Sequence, residues 1–222
     1  MKKSGRWQWD AEMKRRVLMT VAGVTLSGIS VGMFNMSAFG MDPFQVLAHG
    51  VWGLTNITFG TFYMIMNLIM LIGVLLIDRS KIGLGTFVNI FLLGYVVELS
   101  SWFFGTYLPH ESYLSRGILL MAGLVILSFG SSLYFVSNMG VSTYDSVALI
   151  LSEKTKGPFA PIRIGCDLFC SITGWLLGAV LGIGTVMSAF CMGPLISFFN
   201  RTISEPLRYG KKATETKKGE GK

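Results

Sequence analysis

The sequence predicts an all-α polytopic membrane protein: two inverted repeats of three transmembrane helices, each with a short broken or re-entrant helix after its first span. Three observations carry that expectation. Apolar residues make up 51% of the 222 residues and charged residues 14%, with a mean hydropathy of +0.57, whereas soluble domains carry roughly 25% charged residues. The apolar residues fall in blocks of about 20, enough to cross a hydrocarbon core of about 30 Å. Two such blocks end in a break with a helix-start signal, at Phe39-Gly40-Met41-Asp42-Pro43-Phe44 and, one hundred residues on, at Met139-Gly140-Val141-Ser142-Thr143-Tyr144-Asp145.

A basic N-terminal segment, residues 1–16, carries Trp7 and Trp9 and is expected at the cytoplasmic interface, with its indoles at headgroup depth. No small-residue cleavage site follows the first apolar run, so that run is read as an uncleaved anchor. Repeat 1 covers residues 17–104. Its first span, Val17 to Ala38, presents Gly23, Gly28 and Gly32 as a small-residue stripe. At the break Gly40 supplies backbone freedom, Asp42 is a fitting N-cap, and Pro43 stands at the first helical position, where its missing N–H costs nothing. The helix that follows, Phe44 to Leu54, reaches only about half-way through a bilayer at about 1.5 Å per residue. A second span, Phe59 to Ile77, contains Asn67 as its single side-chain amide, and Asp78-Arg79-Ser80-Lys81 forms a charged loop. Gly83-Leu84-Gly85-Thr86 opens the third span, which ends near Phe104 with Glu98 inside it, close to the outer interface.

An extracytoplasmic linker, residues 105–115, precedes repeat 2 at residues 116–200. The fourth span is Arg116 to Val136. At the second break Gly140 provides the turn, and Ser142 followed by Asp145 resembles a capping box. A short helix, Thr143 to Leu151, leads to the charged turn Glu153 to Pro158. The fifth span is Ile162 to Leu181 with Asp167 in it, and the sixth runs from Gly182-Ile183-Gly184-Thr185 to Phe199. Residues 201–222 read as a basic, disordered cytoplasmic tail.

The halves superpose almost without gaps. Gly23 meets Gly123, Gly40 meets Gly140, Phe44 meets Tyr144 and Asn67 meets Asp167. After a one-residue deletion, Gly83-Leu84-Gly85-Thr86 meets Gly182-Ile183-Gly184-Thr185. Loop charge sets the handedness of the repeat. If each short helix dips in and returns, the N-terminus, Arg79, Lys81, Lys154, Lys156 and the basic C-terminus share the cytoplasmic side, as the positive-inside rule requires. Three spans per half then make the repeats inverted.

The net charge of +7 sits in the tails and two loops, which argues against nucleic acid as a partner and for an anionic membrane face. Cys166, Cys170 and Cys191 lie inside apolar runs and read as buried small residues, with neither a disulfide framework nor a metal site. No nucleophile elbow, phosphate loop or paired carboxylates of enzymatic spacing appear, so neither an enzyme nor a cofactor is expected. The candidate binding residues are Asp42, Asn67, Ser142, Asp145, Asp167 and His49, with Gly40, Pro43 and Gly140 as break positions. Unpaired N–H groups at a helix start cannot face lipid, so each break lines a cavity or is buried in protein. Asp167, expected opposite Asn67, suits a coupling proton, and its alternative role is an ion pair with Arg163 one turn earlier. His49 either titrates or is hydrogen-bonded structure. Asn35 and Asn138, just before the breaks, are placed to satisfy freed backbone groups.

The Gly-x-Asp-Pro-Phe break at Gly40 to Phe44 and the Gly-x-Gly-Thr start at Gly83 to Thr86 resemble the bacterial YczE/YyaS/YitT integral membrane proteins over residues 17–200. The second break departs from the pattern, with Ser142-Thr143 in place of Asp-Pro. The resemblance implies a bacterial plasma-membrane location but supplies no reaction. Three readings follow from the residues. One is a small-solute permease or exporter with a cavity between the repeats. Another is a substrate-binding membrane subunit working with a partner ATPase, since no nucleotide site is present. The third is a non-transporting scaffold or regulator. The expected partners are the bilayer and an unidentified small solute, with a homo-oligomer as one option, since the sequence leaves the oligomeric state open.

With the native cysteines replaced, Met41→Cys and His110→Cys are expected to label from the outer side, and Ser80→Cys and Thr155→Cys from the cytoplasm. Labelling of position 80 only from outside would end the inverted arrangement.

Overall fold

The computed structural model of the protein describes residues 11–108, 112–157 and 159–209. The expectations for Trp7 and Trp9, for His110 and for the lysines from Lys211 onward lie outside these residues. The described chain forms α1 (Ala11–Ser37), α2 (Pro43–Trp52), α3 (Phe59–Ile77), a 3₁₀ turn (Arg79–Lys81), α4 (Leu84–Tyr107), α5 (Tyr113–Ser137), α6 (Thr143–Thr155), α7 (Phe159–Leu176) and α8 (Ile183–Phe199). A π-helical turn (Asn200–Ser204) then joins α8 to α9 (Glu205–Tyr209). No strand occurs among the described residues.

Five helical stretches are long and apolar enough to cross a membrane: Glu12–Ser37, Phe59–Ile77, Leu84–Tyr107, Tyr113–Ser137 and Ile183–Tyr209. The outer surface is correspondingly apolar, with Ile69, Leu76, Leu99, Phe169 and Phe190 all exposed, an arrangement suited to lipid rather than water. This is a multi-pass membrane protein. The expected fifth span, α7, is not among these five stretches of the described residues. Arg163 and Asp167 lower its apolarity, and it stops at Leu176 rather than Leu181 because Gly178 turns left-handed (φ +93°) and Ala179 N–H closes onto the Gly174 carbonyl at 3.0 Å.

Two further boundaries move. The first helix begins at Ala11, six residues ahead of Val17, so residues 11–16 are helical. The last helix passes Phe199, so residues 201–209 are helical where a disordered tail was expected. Contacts hold this extension. The Ser132 and Ser204 hydroxyls lie 2.6 Å apart, Arg208 donates to the Val136 carbonyl, and Arg15 donates to the Leu207 and Arg208 carbonyls at 3.2 Å. Arg16 donates to the carbonyls of Ser137, at 2.8 Å, and Asn138. Arg16 and Arg208 therefore sit on the carbonyl end of α5, where a helix carries partial negative charge.

The centre of the fold is the α1–α5 pair, and glycine makes it possible. A Cβ on Gly23 would lie 2.7 Å from the Gly130 carbonyl, and one on Gly130 would lie 2.8 Å from the Gly23 carbonyl. Further along, Ser30 donates to the Gly123 carbonyl at 2.5 Å. Numbers rise on one helix as they fall on the other, so the two run antiparallel. The other two glycines of the α1 stripe turn to α4, Gly28 against Val96 and Gly32 against Ser100. Here the numbers rise together, so α1 and α4 are parallel. α5 and α8 are parallel too, Leu120 meeting Gly184 and Phe129 packing on Phe199 at 5.4 Å.

The breaks have matching backbones. Ala38 and Asn138 are left-handed (φ +54° and +50°), and Gly40 and Gly140 follow at +113° and +106°. The Phe39 carbonyl then accepts from Gly184 N–H at 2.7 Å, and the Met139 carbonyl accepts from Gly85 N–H at 2.7 Å. The exposed N–H groups at the starts of α8 and α4 are thus partnered by the break of the other half. Lys81 touches both ends of the α6 segment, one through its backbone and the other through the tip of its side chain. Val141 N–H donates to the Lys81 carbonyl at 3.2 Å, while the Lys81 ammonium pairs with Glu153.

Gly83 and Gly182 are extended (φ −151° and −144°), a backbone any residue adopts, yet a Cβ on either would collide with the Met139 or Phe39 carbonyl. Gly83→Ala and Gly182→Ala are therefore expected to lose about 1–3 kcal/mol through overpacking. Gly94→Ala, with nothing within 4 Å of its Cβ, should leave the thermal midpoint in detergent unchanged.

Candidate functional site

Two helix starts meet in the interior. At the first, Asp42 caps α2, its Oδ1 accepting from the N–H groups of Phe44 (3.1 Å) and Gln45 (3.3 Å), with Pro43 opening the helix as expected. At the second, the Ser142 hydroxyl accepts from Asp145 N–H at 3.1 Å and donates to Asp145 Oδ2 at 2.7 Å. Only half of the expected capping box forms, because the Asp145 carboxylate turns to the Ser142 hydroxyl and to Arg163 instead of the Ser142 N–H. The first aromatic residues of the two helices, Phe44 and Tyr144, stack at 4.7 Å and 20°, and Tyr63 meets Phe44 edge-on at 5.8 Å.

Arg163 on α7 binds the second start together. Its guanidinium pairs with Asp145, lies 3.3 Å from Asp167 through Nε, and sits 4.3 Å from the centroid of the Tyr144 ring. The Tyr144 hydroxyl donates to Asp167 Oδ1 at 2.6 Å. Asp145 and Asp167 are buried. The i,i+4 pairing of Arg163 with Asp167 read from sequence is present. Its larger role, joining Asp167 to a carboxylate on another helix, is not visible in that spacing.

Asn67 and Asp167 do not bond to each other. Asn67 accepts from the Thr143 hydroxyl at 2.7 Å and donates to the Tyr63 carbonyl at 2.8 Å. Thr143 and Tyr144 are consecutive, so the first turn of α6 is gripped by Asn67 through one residue and by Asp167 through the next. Asp42, Asn67, Ser142, Asp145 and Asp167 thus gather at the two helix starts. His49 does not join them. It stacks on Phe59 at 4.2 Å and meets Trp52 edge-on, and its Nε2 has no hydrogen-bond partner among the described residues.

Other expectations resolve as structure. Asn35 donates to the Ser101 hydroxyl at 3.3 Å instead of to freed backbone, and Asn138 contributes its left-handed conformation as the cap of α5. Glu98 is exposed on α4. The three cysteines are free, with Cys170 buried in the main apolar core. Among the described residues no three His, Cys, Asp or Glu side chains group closely enough to hold a metal ion. The Phe44 and Tyr144 rings stack between the helix starts, with the guanidinium over the Tyr144 ring. A hollow of about 380 Å³ lies to one side, between α3 and α6, lined by Met70, Val74, Ile77, Val147, Ile150 and Lys154 among others.

Residues 14–201 match DUF6198, a family of unknown function. The chain belongs to this family. It is 26% identical over 197 residues to an uncharacterized protein of Haemophilus influenzae, covering 88% of each chain. It is 23% identical to the uncharacterized membrane protein YczE of Bacillus subtilis, over 84% of this chain and 86% of the relative. To the uncharacterized protein YyaS of the same organism it is 22% identical, over 80% of this chain and 88% of the relative. No solved structure matches it. The likeness to YczE and YyaS read from Gly40–Phe44 and Gly83–Thr86 therefore holds over most of the chain.

Each group of the Arg163 hub has a partner. Removing the guanidinium would strand two buried carboxylates. Arg163→Gln is expected to cost about 3–5 kcal/mol, and Tyr144→Phe, which removes one hydrogen bond to a charged group, about 1.5–3 kcal/mol. Thermal unfolding in detergent compares them, and a larger loss for Tyr144→Phe would remove Arg163 from the centre of the network.

Proposed function

We propose that the protein is a small-solute permease or exporter of a bacterial plasma membrane, built from two inverted repeats and with both termini cytoplasmic. The observation that carries this reading is the meeting of two capped helix starts, at Phe44 and Tyr144, beside three carboxylates and one guanidinium in the interior of an apolar, multi-pass chain. Ionisable groups at such depth are costly and mark solute or ion pathways. Helix starts from broken segments, one from each half, are the arrangement by which transporters present backbone N–H groups to a bound solute near the membrane midplane.

Three features support the inverted repeat. The equivalent helices α1 and α5 run antiparallel with Gly23 against Gly130 and Ser30 against Gly123. The two breaks make the same bond, to Gly184 and to Gly85. Both ends of the α6 segment are anchored at Lys81, as a segment that enters and returns on one side would be. A scaffold that only packed helices would gain stability from apolar side chains where Asp145, Arg163 and Asp167 stand. The packed space between the helix starts corresponds to a closed state, in which rings and guanidinium occupy the solute's place.

Reconstituted into liposomes, the protein is expected to move members of a panel of labelled amines, amino acids and carboxylates. Asp167→Asn is expected to reduce that flux at least tenfold while still inserting. Unchanged flux in Asp167→Asn would take this residue out of the mechanism, and absence of flux across the panel would count against the permease reading.

A further inference from the structure

The two helix starts are built alike but satisfied differently. In the second, the N-cap side chain is a donor and the residue three positions on is its acceptor: Ser142 gives its hydroxyl proton to Asp145 Oδ2 at 2.7 Å. In the first, the same positions are Asp42 and Gln45. Gln45 is 2% exposed, and its Oε1 has no hydrogen-bond partner among the described residues. A buried amide oxygen left bare is costly. The equivalent donor exists in the first half only when Asp42 carries a proton.

Charge balance points the same way. Arg163 is shared between Asp145 and Asp167, and Asp42 has no ion pair among the described residues. Its carboxylate has only the two N–H groups on Oδ1. The groups that face it are Tyr63 on α3, Arg163, Asp167 and Cys170 on α7, and Tyr144 and Asp145 around Arg163 on α6. From α8 comes Thr185, close to Gly40, which does not titrate. Three carboxylates against one guanidinium leave an excess of negative charge, with Asp145 and Asp167 buried and Asp42 half-buried. The start of α2 opposes this in part, since its N–H groups favour an anion at the cap. Opposed forces of this kind suit a proton that is taken up and given back.

We infer that Asp42 is a reversible proton-binding site, its neutral form donating from Oδ2 to Gln45 Oε1. This rests on the permease reading for its purpose, where it names the coupling ion, but the protonation itself is a property of the chain alone. One proton is gained from water on binding and returned to water on release, with no other bond changed. Asp167, bonded to Arg163 and Tyr144, fixes the arrangement in this reading rather than carrying the proton.

Infrared spectroscopy of the full-length protein in bilayers, titrated from acidic to alkaline buffer, tests this. Wild type is expected to show a protonated-carboxyl C=O band that disappears as pH rises. Asp42→Asn, which keeps a good N-cap, should lose the band while retaining its thermal midpoint, and Asp167→Asn should keep it. Gln45→Leu, which removes the acceptor, should shift the band to higher frequency, and it provides the test if Asp42→Asn does not fold. No titrating band in wild type, a band surviving in Asp42→Asn, or an unshifted band in Gln45→Leu would each overturn the assignment. Flux with no Asp42 band would leave the permease and remove the proton site, whereas an Asp42 band with no flux would do the reverse.

Discussion

A helix broken inside a membrane protein must find partners for backbone groups that lipid cannot satisfy. Here each half supplies them to the other. Phe39 and Met139 turn their carbonyls toward the starts of α8 and α4, and Gly184 and Gly85 return N–H groups at 2.7 Å. Much follows from that exchange. Glycine is needed at 83 and 182 because the carbonyls lie where a side chain would begin. The breaks need left-handed turns at residues 38 and 40, and at 138 and 140, to aim those carbonyls. The helix starts at Pro43 and Thr143 are thereby directed inward, where Phe44 and Tyr144 meet.

The interior that results is alike in backbone and unlike in chemistry. The second half holds the charged network, with Arg163, Asp145, Asp167 and the Tyr144 hydroxyl. The corresponding first-half residues are Tyr63, Gln45, Asn67 and Phe44. Ring-on-ring contact between Phe44 and Tyr63 at 5.8 Å stands where the guanidinium lies over Tyr144 at 4.3 Å. One half therefore stabilises fixed charge, and the other keeps a lone carboxylate at Asp42 capped only by its own helix.

Local features of the fold were legible in the sequence. Asp42, Pro43, Gly40 and Gly140 announce the breaks because capping and backbone freedom depend on neighbours in the chain. Span positions were legible because apolar length is local too. Pairing across elements was not. Asn67 and Asp167 stand one hundred residues apart at matched positions of the sequence, yet each grips a different residue of α6, which periodicity cannot specify. Arg163 and Asp145 are 18 residues apart on separate helices. The available clue was electrostatic, since a lone arginine within an apolar run must find more than one acid when several are nearby. The α7 end was misplaced because Gly178, whose φ is +93°, resembles the many other glycines of the chain until its backbone is seen.

The α1–α5 contact has a mechanical corollary. Where Gly23 and Gly130 bring two backbones together there is no flexible side chain to absorb sliding, and the hydroxyl of Ser30 fastens the other end to Gly123. Such a pair is suited to serve as a fixed axis. Motion in this protein would fall to the short helices and to α3 and α7 swinging about it, with the Lys81 turn as the pivot of one arm.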